Sequence, residues 1–270
     1  MSVHWVIEQG VFSEAADRVI AALDERGLPW SRYADGVEGA RLPPAGSCAL
    51  FWGSLGVAYG DDSVARRWRP GAIGDIARFA CSAYYPLLRP LLANASCVLT
   101  TVRRLVNDAR GELRSLGDPE SVFIRPDSAL KPFSGRVLEV GAINLAALDH
   151  GFYYDDEDLP ILVSPRRTIG REWRFVIADC SVVTACEYEA SRRGLPGVVP
   201  DSALALASQV AANEWQAAEA FILDVGEVDG QPRVMELNPL SGADLYTCDA
   251  PAVVTAVTAI AQRLCEGAVG

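Results

Sequence analysis

Two short apolar runs, Phe221-Ile222-Leu223-Asp224 and Val234-Met235-Glu236-Leu237-Asn238-Pro239, flank an Asp229-Gly230 dipeptide. An Asp-Gly pair between such runs is a strong signal for a tight antiparallel hairpin. Each run carries an oxygen-bearing side chain at its end, so the hairpin lets Asp224, Glu236 and Asn238 converge. Glu236 and Asn238 are two residues apart and share one strand face. Their neighbours are apolar, and a carboxylate in such surroundings needs a partner or a metal. Mg2+ prefers hard oxygen ligands, so the spacing predicts that Asp224, Glu236 and Asn238 hold Mg2+. The alternative is a solvated strand face.

Two further clusters precede this hairpin. Phe123-Ile124-Arg125-Pro126-Asp127 leads into Lys131-Pro132-Phe133-Ser134-Gly135. A strand would deliver Arg125, and the Ser134-Gly135 turn would offer backbone N–H groups near Lys131, a cradle suited to polyphosphate. Lys131 is the only lysine among 24 basic residues. Arginine replaces lysine readily on a surface but not where a compact ammonium must enter a phosphate site. In Glu172-Trp173-Arg174, Glu172 and Arg174 share a strand face, so Arg174 either pairs with Glu172 or neutralises phosphoryl charge.

Around these clusters the pattern predicts α+β lobes rather than one doubly wound sheet. A β-α-β opening lobe runs through a strand at Val3 to Ile7, a helix from Ser13 to Arg26 capped by Ser13, and strands at Trp30 to Tyr33 and Cys48 to Trp52. Residues 61–92 are expected to be a loop with one or two short helices. Thr100 or Thr101 caps a helix reaching Asp108, and strands follow at Ser121 to Arg125, Val137 to Val140 and Ile161 to Ser164. A hairpin over Glu172 to Ala178 and Val182 to Tyr188, a helix over Ser202 to Gln216 and a closing helix over Ala252 to Cys265 complete the chain. The expected division is 1–95 for the N-terminal lobe and 96–270 for the rest.

The net charge of −11 disfavours a nucleic-acid partner. No apolar run approaches the roughly 20 residues of a membrane span, and residues 1–10 lack signal-peptide order, which predicts a cytoplasmic protein. The seven cysteines contain no C-x-x-C pair and are expected to be reduced packing residues. Neither histidine, His4 nor His150, stands in a nucleophile motif; His150 is expected to be structural and the acidic run 155–158 a solvated loop.

Taken together, F-I-R-P-D-S-x-x-K-P-F-S-G, E-W-R and D-x-G with M-E-L-N-P occur in an order that resembles the ATP-grasp superfamily, specifically the clade named for two arginines and one lysine. The trio here would be Arg125, Arg174 and Lys131, and the resemblance spans about Ser121 to Tyr246. It implies an ATP-grasp fold of two α+β lobes clasping ATP, behind an N-terminal pre-ATP-grasp lobe. It further implies that Arg125 and Lys131 contact phosphates, Arg174 lies near the γ-phosphate and Glu172 near ribose or metal. Asp224, Glu236 and Asn238 would hold Mg2+, and Met235 would pack on the base. Leu162-Val163-Ser164 would be the inter-lobe connection whose backbone reads adenine. The glycine-rich lid of many such enzymes is reduced here to Phe133-Ser134-Gly135.

The implied reaction is ATP-dependent ligation: a carboxylate becomes an acyl phosphate and an amine displaces phosphate. Substrates would be small-molecule or peptide carboxylates and amines. Position alone suggests Arg192 and Arg193 as a carboxylate clamp and Ser241 and Gly242 as acceptor contacts. A kinase acting on a small-molecule hydroxyl and a non-catalytic nucleotide-binding module are the alternatives.

Overall fold

The computed structural model describes residues 2–34, 42–148 and 156–267. His150 and the first residue of the acidic run, Asp155, lie outside them. Twelve strands among the described residues form three four-stranded sheets. β1 (His4–Glu8), β2 (Trp30–Tyr33), β3 (Cys48–Trp52) and β4 (Arg69–Gly71) make a parallel sheet in the order β2-β1-β3-β4. β5 (Val98–Thr101), β6 (Ser121–Pro126), β7 (Arg136–Glu139) and β8 (Pro160–Pro165) make an antiparallel sheet in the order β5-β8-β6-β7. β9 (Ile169–Ala178), β10 (Ser181–Glu187), β11 (Ala220–Val228) and β12 (Gln231–Pro239) make the third, antiparallel in the order β10-β9-β11-β12. The α+β architecture expected from the sequence is present.

Local chemistry accounts for most element ends. Thr101 accepts from Arg104 N as a helix N-cap, as expected. Ser13 does not cap the first helix, Ser13–Glu25: the residue before it, Phe12, stands at φ 53 with no side-chain cap. The helix beginning at Asp201 ends at Ala211 rather than Gln216. Gln216 instead folds back, and its amide donates to the Ala211 carbonyl at 3.0 Å, meeting acceptors that a helix end leaves unpaired. Residues 61–92 are more ordered than a loop, since β4 extends the parallel sheet and a helix spans Cys81–Leu88. β4 is only three residues long, below what periodicity can register.

Two larger cores explain the layout, with a smaller third of Val6, Ala49, Phe51, Ala58, Ala65 and Trp68 in the N-terminal lobe. Val102, Leu105, Leu113, Val122, Ile124, Phe133, Leu148, Ile161 and Val163 pack inside the middle lobe around β5–β8. The parallel sheet, by contrast, shares its interior with β9–β12 and the C-terminal helix Ala250–Gly267. Trp5 Nε1 donates to Thr258 Oγ1 at 3.0 Å across that seam. No helix among the described residues is long and apolar enough to cross a membrane.

The cysteine expectation needs correction. Cys48 at the start of β3 and Cys265 near the end of the last helix form a disulfide across 217 residues of sequence. Tertiary packing brings their Cα atoms to 5.7 Å, a proximity that spacing along the chain cannot reveal. Closing so long a loop restricts the unfolded chain. Reduction, or Cys265→Ser, is expected to lower the unfolding free energy by about 2–4 kcal/mol. A urea titration reads this as a lower midpoint with unchanged far-ultraviolet circular dichroism; equal midpoints in reduced and oxidised protein would refute the clasp.

Candidate active site

β6 alternates in burial, sending Val122 and Ile124 into the middle-lobe core and leaving Phe123 and Arg125 on the opposite face. Arg125 thereby leaves its own lobe's core and crosses to the third sheet. Its Nη2 donates to Glu236 Oε2 at 2.7 Å. Lys131, in the turn after β6 and held at φ 50, donates to the other oxygen, Glu236 Oε1, at 2.9 Å. One carboxylate on β12 thus gathers the two cations of the middle lobe.

Sheet register supplies the rest. Arg174 on β9 is directly opposite Asp224 on β11, and Asp224 is directly opposite Glu236 on β12. Arg174 Nε and Nη2 donate to the two Asp224 oxygens at 2.8 and 2.7 Å, a bidentate pair. Nη1 donates to the Asp244 carbonyl at 2.7 Å, and the guanidinium carbon lies 4.5 Å from the Tyr246 ring centroid. The alternative of an Arg174–Glu172 pair is therefore corrected: the adjacent strand places a carboxylate squarely across from Arg174. Asn238 ties the two acidic residues together, its amide nitrogen donating to Asp224 Oδ2 at 3.0 Å and Glu236 Oε1 at 2.9 Å.

These contacts set the charge states. Burial alone would raise the Glu236 carboxyl, but the Arg125 guanidinium and Lys131 ammonium outweigh it and hold the group well below the carboxylate range. Burial likewise works against charge on Arg174, and Asp224 more than compensates, so Arg174 stays firmly protonated. Glu172 titrates the other way. Burial raises its carboxyl, with the Asp224 and Glu236 charges adding to the effect.

The residues gathered here fit a hard divalent cation. Two carboxylate oxygens lie within 3.0 Å of the Asn238 amide nitrogen, so they converge on a single point and suit Mg2+, and turning the Asn238 amide over would present its oxygen there in place of the nitrogen. Among the described residues no group of three or more His, Cys, Asp or Glu is placed to hold a metal ion.

Other expected residues fall in different places. Leu162 and Val163 are not an inter-lobe connection. They lie on β8, an inner strand whose ladder runs to β5 on one side and β6 on the other, so their backbone polar groups are committed. The connection between the sheets is 166–168 instead. Met235 occupies a register slip opposite Asp224 and Val225, where a bulge re-aims a side chain. It packs on Gly226, where an added Cβ would meet its sulfur at 2.8 Å. Ser241 is 1% exposed, its carbonyl accepts from Gly53 N, and a Cβ on Gly242 would collide with Leu55. Both residues pack against the N-terminal lobe, Ser241 buried and Gly242 half-buried. Phe133 is buried in the middle-lobe core.

Arg192 and Arg193 part company. Arg192 stacks over Tyr188 at 5.0 Å, Tyr188 meets Tyr246 edge-on at 5.1 Å, and Tyr246 underlies Arg174. A continuous column therefore runs from an exposed arginine to the buried one. Hydrogen bonding to Arg192 pulls the Tyr188 hydroxyl below its ordinary value. Arg193 acts on Glu187 instead. Sequence reasoning misses Tyr246, and also Tyr84 and Cys81, which press on Arg125 from the helix Cys81–Leu88. The one local mark on Tyr246 is conformational: φ 46, a strained value for a bulky residue, which sequence does not display.

Residues 101–256, more than half of the chain, match the ATP-grasp domain, family 2 of the clade named for two arginines and one lysine. No curated protein matches. Among solved structures, the chain is similar to a RimK domain protein ATP-grasp from Sphaerobacter thermophilus DSM 20745, at TM-score 0.59 and 14% identity over 99% of this chain and 100% of that one. It is similar to D-cycloserine synthetase DcsG at TM-score 0.62 and 13% identity, covering 98% and 100%. It is similar also to a D-alanine–D-alanine ligase from Bacillus anthracis complexed with ATP, at TM-score 0.60 and 15% identity, covering 99% of both chains. At these identities the likeness concerns the fold.

The Glu236 contacts generate a pH dependence. Its carboxyl is ordinary, at 4.5, when unfolded and lower when folded. The unfolded state therefore binds more protons as pH falls below that value. Stability contributed by Glu236 is complete above pH 4.5 and is lost as pH drops toward the native value. In metal-free buffer the urea midpoint should decline on acidification from about pH 5 to about pH 3, and Glu236→Gln should flatten that decline. Parallel acid limbs in the two proteins would contradict it.

Proposed function

Because the chain belongs to the ATP-grasp domain family of the two-arginine, one-lysine clade, we propose that it is an ATP-dependent ligase that activates a carboxylate as an acyl phosphate and joins it to an amine, releasing ADP and phosphate. The observation that carries this reading is the row Arg174–Asp224–Glu236 meeting Arg125 and Lys131 from the other lobe. Phosphoryl transfer demands cations around a moving negative charge and little covalent help from the protein. Arg125 and Lys131 hold the nucleotide phosphates, and Arg174, fixed by Asp224, the Asp244 carbonyl and Tyr246, faces the transferred phosphoryl group.

Asp224, Glu236 and Asn238 would hold Mg2+, which when bound neutralises charge on the phosphate oxygens. Glu172 stands at the rim of this set with a raised carboxyl, near the ribose or metal. Met235 packs on the base, and adenine is read by the connection 166–168 rather than by Leu162 and Val163. Arg192, at the outer end of the aromatic column, takes the carboxylate of a small-molecule or peptide acceptor.

The test is substrate-dependent ADP release with ATP, Mg2+ and a panel of carboxylates and amines. Release requiring both partners supports the ligase. A phosphorylated alcohol would make the protein a kinase, and binding without turnover a nucleotide-binding module. Lys131→Arg keeps the charge but replaces a compact donor with a planar fork. It should lower kcat/KM for ATP by about 100-fold or more while the fold survives; near-normal turnover would sink the assignment. Arg192→Ala should raise the acceptor KM by about tenfold with kcat little changed, the signature of lost ground-state binding. An unchanged KM for every acceptor removes Arg192 from the site.

A further inference from the structure

Two cysteines outside the disulfide meet beside Arg174. Cys186 on β10 is the cross-strand partner of Arg174 and is fully buried. Cys248 lies in the turn that follows Tyr246 and is 2% exposed. Cys248 Sγ donates to Cys186 Sγ across 3.4 Å and stands 3.9 Å from the Arg174 carbonyl oxygen. The Ser191 and Thr247 hydroxyls, 2.7 Å from each other, flank the Cys186 sulfur. Hydrogen bonding from Cys248, aided by those hydroxyls and opposed by burial, pulls the Cys186 thiol down to about 6, while Cys248 is pushed up. The lowered thiol is suited to act as nucleophile, and the second sulfur, 3.4 Å away, is placed to resolve the oxidised product by proximity. Nothing in phosphoryl transfer calls for a thiol here.

We propose that Cys186 and Cys248 are a redox-active dithiol, and that their oxidation to a disulfide shifts the 244–248 turn toward β10 and disturbs its contacts with Arg174. With hydrogen peroxide as oxidant, the Cys186 thiolate attacks one peroxide oxygen, the O–O bond breaks, and Cys186 sulfenic acid forms with loss of one water after protonation. Cys248 then attacks that sulfur, the S–S bond forms and a second water leaves. Two thiols and one peroxide become one disulfide and two waters, and a dithiol reductant reverses the change.

Geometry directs the movement. The sulfurs must close from 3.4 Å to about 2.05 Å. Cys186 is fixed in the continuous ladder to β9, whereas Cys248 sits in a turn held by separate hydrogen bonds, Cys248 N to Leu245 O, Asp249 N to Thr184 Oγ1, Thr247 Oγ1 to Leu195 O and the Thr247–Ser191 hydroxyl pair. The turn therefore yields. It carries the Asp244 carbonyl and the ring of Tyr246, whose backbone stands at φ 46, and both hold Arg174. Asp249 next to Cys248 is exposed, and Tyr246 and Thr247 are half-buried, so local opening of this turn admits a small oxidant. The consequence for nucleotide rests on the proposed role of Arg174; the dithiol itself does not.

The intact chain, reduced at Cys186 and Cys248 and then treated with stoichiometric hydrogen peroxide, is alkylated and mapped by non-reducing peptide mass spectrometry. The Cys48–Cys265 linkage serves as internal reference. The expected result is a peptide linked through Cys186 and Cys248, lost on dithiothreitol treatment and absent from Cys248→Ala. Affinity for ATP with Mg2+, measured by calorimetry, should weaken about ten- to hundredfold on oxidation, the range for losing a hydrogen bond to a charged group. The Cys186→Ala/Cys248→Ala double variant should not respond. Failure to form the linkage overturns the dithiol, and linkage without change in affinity overturns its coupling to Arg174. Equal loss of affinity in the double variant also overturns that coupling. If the reduced protein has no affinity for nucleotide, the functional reading and the coupling fall together, while the peptide map still decides the dithiol.

Discussion

Three cations and two carboxylates, Arg125, Lys131, Arg174, Asp224 and Glu236, pair through contacts of 2.7 to 2.9 Å with one positive charge in excess, and the rest of the molecule is arranged to keep them there. Charges so shielded are expensive to leave single. Removing one partner of a buried pair costs about 3–5 kcal/mol, although the intact pair adds little net stability over an apolar replacement. The network is therefore better understood as a device that fixes geometry than as a source of stability. Asn238 contributes to that device by holding the two carboxylates at a common point.

The same network joins parts of the chain that otherwise pack apart. The middle lobe has its own core, and Arg125 and Lys131 reach from it to Glu236 on the third sheet. The N-terminal sheet, the third sheet and the last helix share another core, secured by the Cys48–Cys265 link. On the proposed reading, phosphates take over the cations as the carboxylates turn to metal, so the contacts between lobes are exchanged rather than merely broken. Neither a phosphate nor a cation could do this alone without stranding a charge.

Arg174 illustrates how far such positioning extends. Asp224 orients it, the Asp244 carbonyl and Tyr246 ring support it, and Tyr188 and Arg192 continue the column to the surface. The Cys186–Cys248 pair lies directly behind it. Packing in protein interiors transmits small displacements, so on the proposed reading a change of about an ångström in the turn bearing Tyr246 would reach the guanidinium assigned to the phosphoryl group.

The residue types at the centre of the site were legible in the chain itself. Apolar runs closing on Asp224, Glu236 and Asn238, an Asp-Gly turn between them, one lysine in an arginine-rich chain and a strand ending at Arg125 are local patterns, and local patterns survive unfolding. What tertiary structure decided is every choice among distant partners. Register across β9, β11 and β12 gave Arg174 to Asp224 instead of Glu172, because opposition on neighbouring strands depends on strand order and not on spacing within one strand. Ladder pairing on both sides made Leu162 and Val163 inner-strand residues, and lobe docking set Ser241 against Gly53 and Gly242 against Leu55. A disulfide across 217 residues and a strained tyrosine beneath Arg174 likewise exist only where the folded chain brings remote segments together, because nothing local in either segment encodes the meeting.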